Sequence, residues 1–158
     1  MMSVAPVASA GEAAGYYSNS DNYYFLGSLQ SLWMGEGAKE LGLEGNVRGD
    51  DLTAVLEGRL PDGSRLGKEV NGQHVHRPGH DLTFSAPKSV SILALIGNDK
   101  EMVEAHNHAV RVAAGYVEKL ISARDTKDGV TSIVHTGKMV AAAYTHDTSR
   151  NLDPQLHT

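Results

Sequence analysis

The stretch Met139–Thr158, MVAAAYTHDTSRNLDPQLHT, decides how this chain is read. Met139 to Tyr144 is an apolar run of the length of a buried strand. His146-Asp147-Thr148-Ser149-Arg150 leads out of it into a loop, and Pro154-Gln155-Leu156-His157-Thr158 follows. With one histidine ending a strand and the other lying on the next, the loop brings two imidazoles together. Two imidazoles make part of a metal site, since most such sites use three protein ligands and leave positions open for substrate. The plainer alternative is a pair of solvated loop histidines.

Upstream, strand and helix patterns alternate. Asp81-Leu82-Thr83-Phe84 reads as a strand, and Pro87 suits the first turn of a following helix. Asn98 and Glu101 form a capping-box pattern. Beyond them Val103, Val110, Ala113, Val117, Leu120 and Ile121 line one face of a long helix. Asp128-Gly129 marks a turn before the β-rich run Thr131–Val134. Leu52–Leu56 is a short helix closed by Gly58 and the turn Pro61-Asp62-Gly63, and residues 62–80 read as a long glycine-rich loop. Leu29–Leu41 has helical spacing interrupted by Gly35 and Gly37. Ser3–Val7 reads as an edge strand because of Pro6. The pattern predicts an α+β domain, an antiparallel sheet with helices packed on one face and no internal repeat.

Ser9 and Glu12 form a second capping box, so a helix should begin near Ala10 and carry Tyr16-Tyr17 on its last turn. Ser18–Asn22 reads as a loop, with Tyr23-Tyr24 just past it. Four of the six tyrosines therefore fall within nine residues. A phenol, with an ordinary pKa of about 10, becomes a useful nucleophile when a base or metal activates it or its target. The competing reading is a helix burying aromatic rings with phenols at the rim.

Composition narrows the choice. The 158 residues make about one domain, and the absence of cysteine excludes disulfides, thiolate metal sites and thiol nucleophiles. A net charge of −5 argues against charge-driven coating of DNA, though not against a local groove holding one strand. Eight histidines remain as the natural metal ligands. No apolar run approaches a membrane span. Ala8-Ser9-Ala10 imitates a signal-peptidase site without the basic and hydrophobic segments that precede one, so a cytoplasmic location is expected.

Three blocks together carry a resemblance: the pairs Tyr16-Tyr17 and Tyr23-Tyr24, the run His80–Ser91 (HDLTFSAPKSVS), and the histidine-bearing segments 146–150 and 154–158. They closely resemble the conjugative relaxases of the MobF type, along essentially the whole chain and including Leu56–Gly63. The resemblance implies an HUH-endonuclease-like antiparallel sheet that presents histidines to a divalent metal. It implies a metal-dependent DNA transesterase that nicks single-stranded plasmid transfer-origin DNA through a 5′-phosphotyrosine intermediate. By position, Tyr16 is the implied nucleophile and His146 and His157 are metal ligands. Asp81 matches the acidic residue that orients a ligand or activates the tyrosine. Tyr17, Tyr23 and Tyr24 are left for a second transesterification or for stacking on bases. Arg150 and Lys88 are candidates to touch DNA phosphate. The implied working ion is magnesium or manganese, although imidazoles by themselves suit softer metals. Relaxosome accessory proteins are the implied partners.

The family pattern continues His-Thr-His, whereas this sequence reads His157-Thr158. Residues 1–158 are accordingly expected to be the N-terminal portion of a relaxase domain. The alternative is a truncated, non-catalytic single-stranded-DNA-binding or interaction fragment. A rolling-circle replication initiator shares the chemistry, but the Asp81 and His146 motifs favour the conjugative enzyme. His74-Val75-His76 spells the histidine-hydrophobe-histidine motif, yet it lies in the predicted loop rather than on a central strand. His106 and His108, two apart on a helix, cannot share a face.

Overall fold

The two histidine-bearing segments pair as their spacing predicts. In the computed structural model, which describes residues 1–17 and 30–158, strands β8 (Ala141–Thr148) and β9 (Pro154–His157) run antiparallel with His146 directly opposite His157. The pairing is irregular between His146 and Thr148. On its other edge β8 pairs with β2 (Gln30–Met34), giving a three-stranded sheet in the order β2-β8-β9.

A second antiparallel pair, β1 (Met2–Pro6) with β5 (His80–Phe84), meets the free edge of β9 through a bridge between Ser85 and His157. There the Phe84 amide donates to the Thr158 carbonyl at 2.8 Å, and the Thr158 amide donates back to Phe84 at 3.0 Å. Strand β9 therefore lies between β8 and β5. Directly opposed residues share a face and alternate residues along a strand do too. Asp81, Thr83 and Ser85 thus fall on the same face as Tyr144, His146 and His157.

Helices α1 (Ala10–Tyr17), α2 (Glu36–Glu40) and α3 (Gly49–Leu56) belong to that face. They close a core of Ala14, Trp33, Ala38, Leu43, Val47, Leu52 and Tyr144, against which Tyr17 packs. The opposite face is covered by α4 (Lys88–Leu95) and α5 (Lys100–Glu118), which enclose Ala94, Val103 and the wholly buried Leu156. Helices therefore flank both faces rather than the expected one. Strand β9 is apolar on one side at Leu156 and carries the partly buried His157 on the other, so each face needs its own cover.

Other expectations shift locally. The helix predicted over Leu29–Leu41 is split into β2 and the short α2. Gly35 breaks it with φ of +100°, where a Cβ would collide with the Met139 carbonyl. The predicted loop 62–80 holds a small hairpin, β3 (Lys68–Val70) with β4 (Gln73–Val75). The Thr131–Val134 run is part of β7 (Val130–His135), paired to β6 (Ser122–Lys127), a strand its charged residues concealed. Pro87 precedes α4 as its cap residue. Asp99, not Asn98, caps α5, its carboxylate accepting from the amides of Glu101 and Met102. On α5 the buried residues are Val103, His106, Val110 and Ala114, and Leu120 is exposed beyond its end.

Candidate active site

Helix α1 begins where the capping box puts it, with the Ser9 Oγ accepting from the Glu12 amide at 3.4 Å. Eight residues later its last turn sets Tyr16 and Tyr17 over the histidine face of the sheet. The two tyrosines are adjacent in sequence and opposite in environment. Tyr17 is half-buried and lies flat between neighbours: its ring stacks on Tyr144 at 5.3 Å and 21° and on His146 at 6.1 Å and 4°. Tyr16 is 52% exposed and meets Tyr17 and His146 edge-on, at 5.3 and 6.1 Å. Each well-placed aromatic pair contributes about 0.5–1.5 kcal/mol beyond the area it buries. This cluster fixes the end of α1 on the sheet.

The electrostatics separate the pair further. Burial raises the Tyr17 pKa well above that of an ordinary phenol, and a hydrogen bond from its hydroxyl to the Asp81 carboxylate adds to the rise. Asp81 thus holds the Tyr17 proton in place. The same carboxylate acts on His146, where it favours the charged imidazolium. It is outweighed there by burial first and by the neighbouring His157 second, and the His146 pKa falls to about 4. His146 is therefore a neutral imidazole at neutral pH, the form in which histidine binds metals.

His157 lies beside it, ring centroids 5.1 Å apart and tilted by 59°. Its Nδ1 donates to the Gln155 carbonyl at 2.9 Å. That bond places the proton on Nδ1 and leaves the Nε2 lone pair for a ligand, the usual way a second hydrogen bond orients a metal-binding imidazole. The donor chemistry of the two rings fits a divalent cation. Among the described residues no group of three or more His, Asp or Glu side chains is close enough to hold one, so the pair supplies only part of a ligand set.

Other sequence-predicted residues are less central. Lys88, in the first turn of α4, donates to the Pro154 carbonyl at 3.0 Å and so ties that helix to β9. Arg150 is exposed in the turn between β8 and β9. Tyr23 and Tyr24 lie outside the described residues. His74 sits on β4 with His76 just beyond it, away from the central strands as expected.

Sequence reasoning missed Tyr144, which stands two residues before His146 on the same face and forms the floor under Tyr17. Its hydroxyl is buried with no hydrogen-bond partner among the described residues, and burial pushes its pKa up to about 12. The period of two along β8 was the available signal. Also missed was the support on the far face. There the Ser91 hydroxyl accepts from the Leu156 amide at 3.1 Å, and Thr158 bridges Thr145 and His106 at 3.1 Å each.

The chain is similar to known proteins in sequence and in fold. The TrwC relaxase family pattern matches residues 10–158. Two proteins described as multifunctional conjugation protein TraI, from Escherichia coli and its strain K12, are each 54% identical over all 158 residues. The chain spans 9% of their length. Among solved structures, the metal-bound conjugative relaxase TrwC in complex with oriT DNA superposes with a TM-score of 0.86 at 38% identity, over 99% of this chain and 54% of that one. A copper-bound TrwC–oriT complex gives 0.85 at 40% identity, over 99% of this chain and 55% of the other.

Proposed function

The chain belongs to the TrwC relaxase family, and from that premise we propose that Tyr16 is the nucleophile of a DNA strand-transfer reaction, with residues 1–158 forming the N-terminal portion of a relaxase domain. The observation that carries this reading is the asymmetry of the tyrosine pair. The exposed Tyr16 phenol stands edge-on to His146, while Tyr17 is stacked and held protonated by burial and by Asp81.

In the proposed step the Tyr16 oxygen attacks a phosphodiester of single-stranded DNA. A tyrosine O–P bond forms, the bond to the 3′ oxygen breaks, and that oxygen leaves with a proton as a 3′ hydroxyl, while the phenol gives up its own. The 5′ phosphate stays on Tyr16. His146 and His157 are the residues that would hold a divalent cation, magnesium or manganese by family. Such a cation, once bound, polarises a non-bridging phosphate oxygen. Tyr17 and Tyr144 stiffen the platform, and Asp81 positions Tyr17 and biases the charge on His146. Arg150, exposed in the turn between β8 and β9, is proposed as a phosphate contact. Lys88, already engaged with Pro154, is proposed mainly as a brace. The substrate is the transfer-origin strand of a plasmid, the partners are relaxosome accessory proteins, and the location is cytoplasmic. No described helix is long and apolar enough to cross a membrane.

The test incubates the chain with transfer-origin oligonucleotides and Mg²⁺ or Mn²⁺, then measures intact mass under denaturing conditions. A DNA-mass adduct that vanishes in Tyr16→Phe is the expected result. An adduct that persists in Tyr16→Phe moves the nucleophile to another tyrosine. Tight oligonucleotide binding without an adduct, in this chain and in a longer relaxase carrying it, would leave a DNA-binding module only.

A further inference from the structure

Strand β9 is held along its whole length by polar side chains of α4 and α5. Lys88 Nζ donates to the Pro154 carbonyl at 3.0 Å, and the Leu156 amide donates to Ser91 Oγ at 3.1 Å. Two residues further on, His106 Nε2 lies 3.1 Å from Thr158 Oγ1. We propose that His106 is a positioning residue of the histidine pair: through the Thr158 hydroxyl it sets where the His157 ring stands against His146. The proposal rests on the relaxase reading for the metal that the pair would hold, and on this network for the positioning itself.

The hydrogen bonds of this network run in one direction. Thr145 Oγ1 donates to the Asn107 side-chain oxygen at 3.5 Å, a long bond that uses its single hydrogen. The 3.1 Å bond between Thr145 and Thr158 is then donated by Thr158. With that hydrogen spent, the Thr158 oxygen accepts from His106, which therefore carries a proton on Nε2. The chain of donors begins at His106 and ends at Asn107, consecutive residues of α5.

Thr145 precedes His146 and Thr158 follows His157, so the two threonines are the next opposed pair beside the histidines in the antiparallel register. The β8–β9 ladder shifts register between His146 and Thr148, which leaves the slide of β9 along β8 weakly specified by the backbone. Phe84 grips Thr158 from the other edge, at the end of the strand. The clamp from α5 ties both threonines to one helix. His106 and Thr145 are buried, and the other buried residues of α5 are Val103, Val110 and Ala114. A leucine at 106 would continue that apolar stripe without desolvating an imidazole. The directional bond of an imidazole specifies a position, which apolar contact does not.

Position matters because a divalent cation takes its imidazole nitrogens at a fixed separation. The two rings stand 5.1 Å apart between centroids, tilted by 59°. The bond from His157 Nδ1 to the Gln155 carbonyl turns the ring, but both groups belong to β9 and move with it. Contacts that leave the strand decide where the ring stands, and His106 supplies the one nearest to His157 from α5. Groups that hold a metal ligand from behind typically change metal affinity by about 10–100-fold.

The experiment compares wild type with His106→Leu, His106→Gln and Thr158→Val by nuclear magnetic resonance, first without metal and then with Mn²⁺. Glutamine places an amide donor near the imidazole Nε2, whereas leucine and valine fill space without one. Wild type and His106→Gln are expected to show a nuclear Overhauser contact between the His146 and His157 rings. His106→Leu and Thr158→Val are expected to lose it while Trp33 fluorescence still reports a folded chain. In those two variants, broadening of the two rings should require about tenfold more Mn²⁺. A ring contact or Mn²⁺ demand equal to wild type in a folded apolar variant overturns the proposal. So does a wild type without the ring contact, or a His106→Gln that behaves like His106→Leu. Loss of the fold in both apolar variants assigns the network to stability alone and overturns it as well. If Mn²⁺ leaves the wild-type rings sharp while their contact still depends on His106, the metal reading fails and the positioning stands.

Discussion

Acidification should destabilise the metal-free protein mainly through His146. The imidazole is 4% exposed, and its pKa in the fold is about 4 against an ordinary 6.5. Burial is the leading cause, the charge of His157 adds to it, and Asp81 opposes both. The folded state thus holds this ring neutral while the unfolded chain protonates it below pH 6.5. The unfolded state binds more protons in that window, so stability rises with pH across it. The contribution is complete above pH 6.5, declines as the pH falls, and levels off near pH 4. At 1.36 kcal/mol per pKa unit, the shift corresponds to a loss of about 3 kcal/mol. Against a typical domain stability of about 5–15 kcal/mol, that is a large fraction. The assay is urea denaturation in the presence of a chelator at pH 7, 6, 5 and 4.5. It follows the fluorescence of Trp33, the single tryptophan, which is buried in the core under α1. His146→Gln removes the titrating group and should flatten the difference from wild type by that amount. His106, also lowered by burial, titrates in both proteins and cancels. If the two proteins lose stability in parallel from pH 7 to 4.5, the burial argument for His146 is wrong.

Three further outcomes are expected. Leu156→Ala, at a fully buried position between α4 and α5, should cost about 2–5 kcal/mol in the same urea assay. Asp81→Asn should lower the Tyr17 pKa, read by phenolate absorbance in an alkaline titration. The pKa should still stay above the ordinary value, because burial is the larger cause. A Tyr17 titration unchanged by the substitution would show that the carboxylate is not its partner. Gly35→Ala should destabilise by about 1–3 kcal/mol, since the added methyl meets the Met139 carbonyl at a left-handed φ; an unchanged melting temperature would refute the close approach.

The histidine-bearing strands were legible in the sequence because their signals are local. The apolar run ending at Tyr144 and the capping box at Ser9 each act over a few residues; the capping box stands as read, while the strand begins at Ala141 and runs on through His146 to Thr148 before it turns. The misread elements depend on neighbours. Leu29–Leu41 has helical spacing, but Trp33 and its flanks are drawn into a ladder with β8, and Gly35 breaks the helix. β6 is exposed along almost its whole length, so no hydrophobic alternation announced it. The difference between Tyr16 and Tyr17 could not be read at all. It arises from Asp81, Tyr144 and His146, which reach the tyrosines only through strand pairing.

The place of β9 in the strand order has a consequence for how the molecule comes into being. The most C-terminal of the five linked strands is a central one, so β1–β5 and β2–β8 must exist as separate ribbons until it arrives. Two-stranded ribbons are marginal by themselves and carry open edges prone to wrong pairing. Their union depends on contacts between distant parts of the chain, which form slowly. During synthesis the nascent protein would hold two half-sheets and an isolated His146. Insertion of one short strand joins the ribbons and seats the second imidazole in the same event, so a chain still short of its final architecture also lacks the paired histidines.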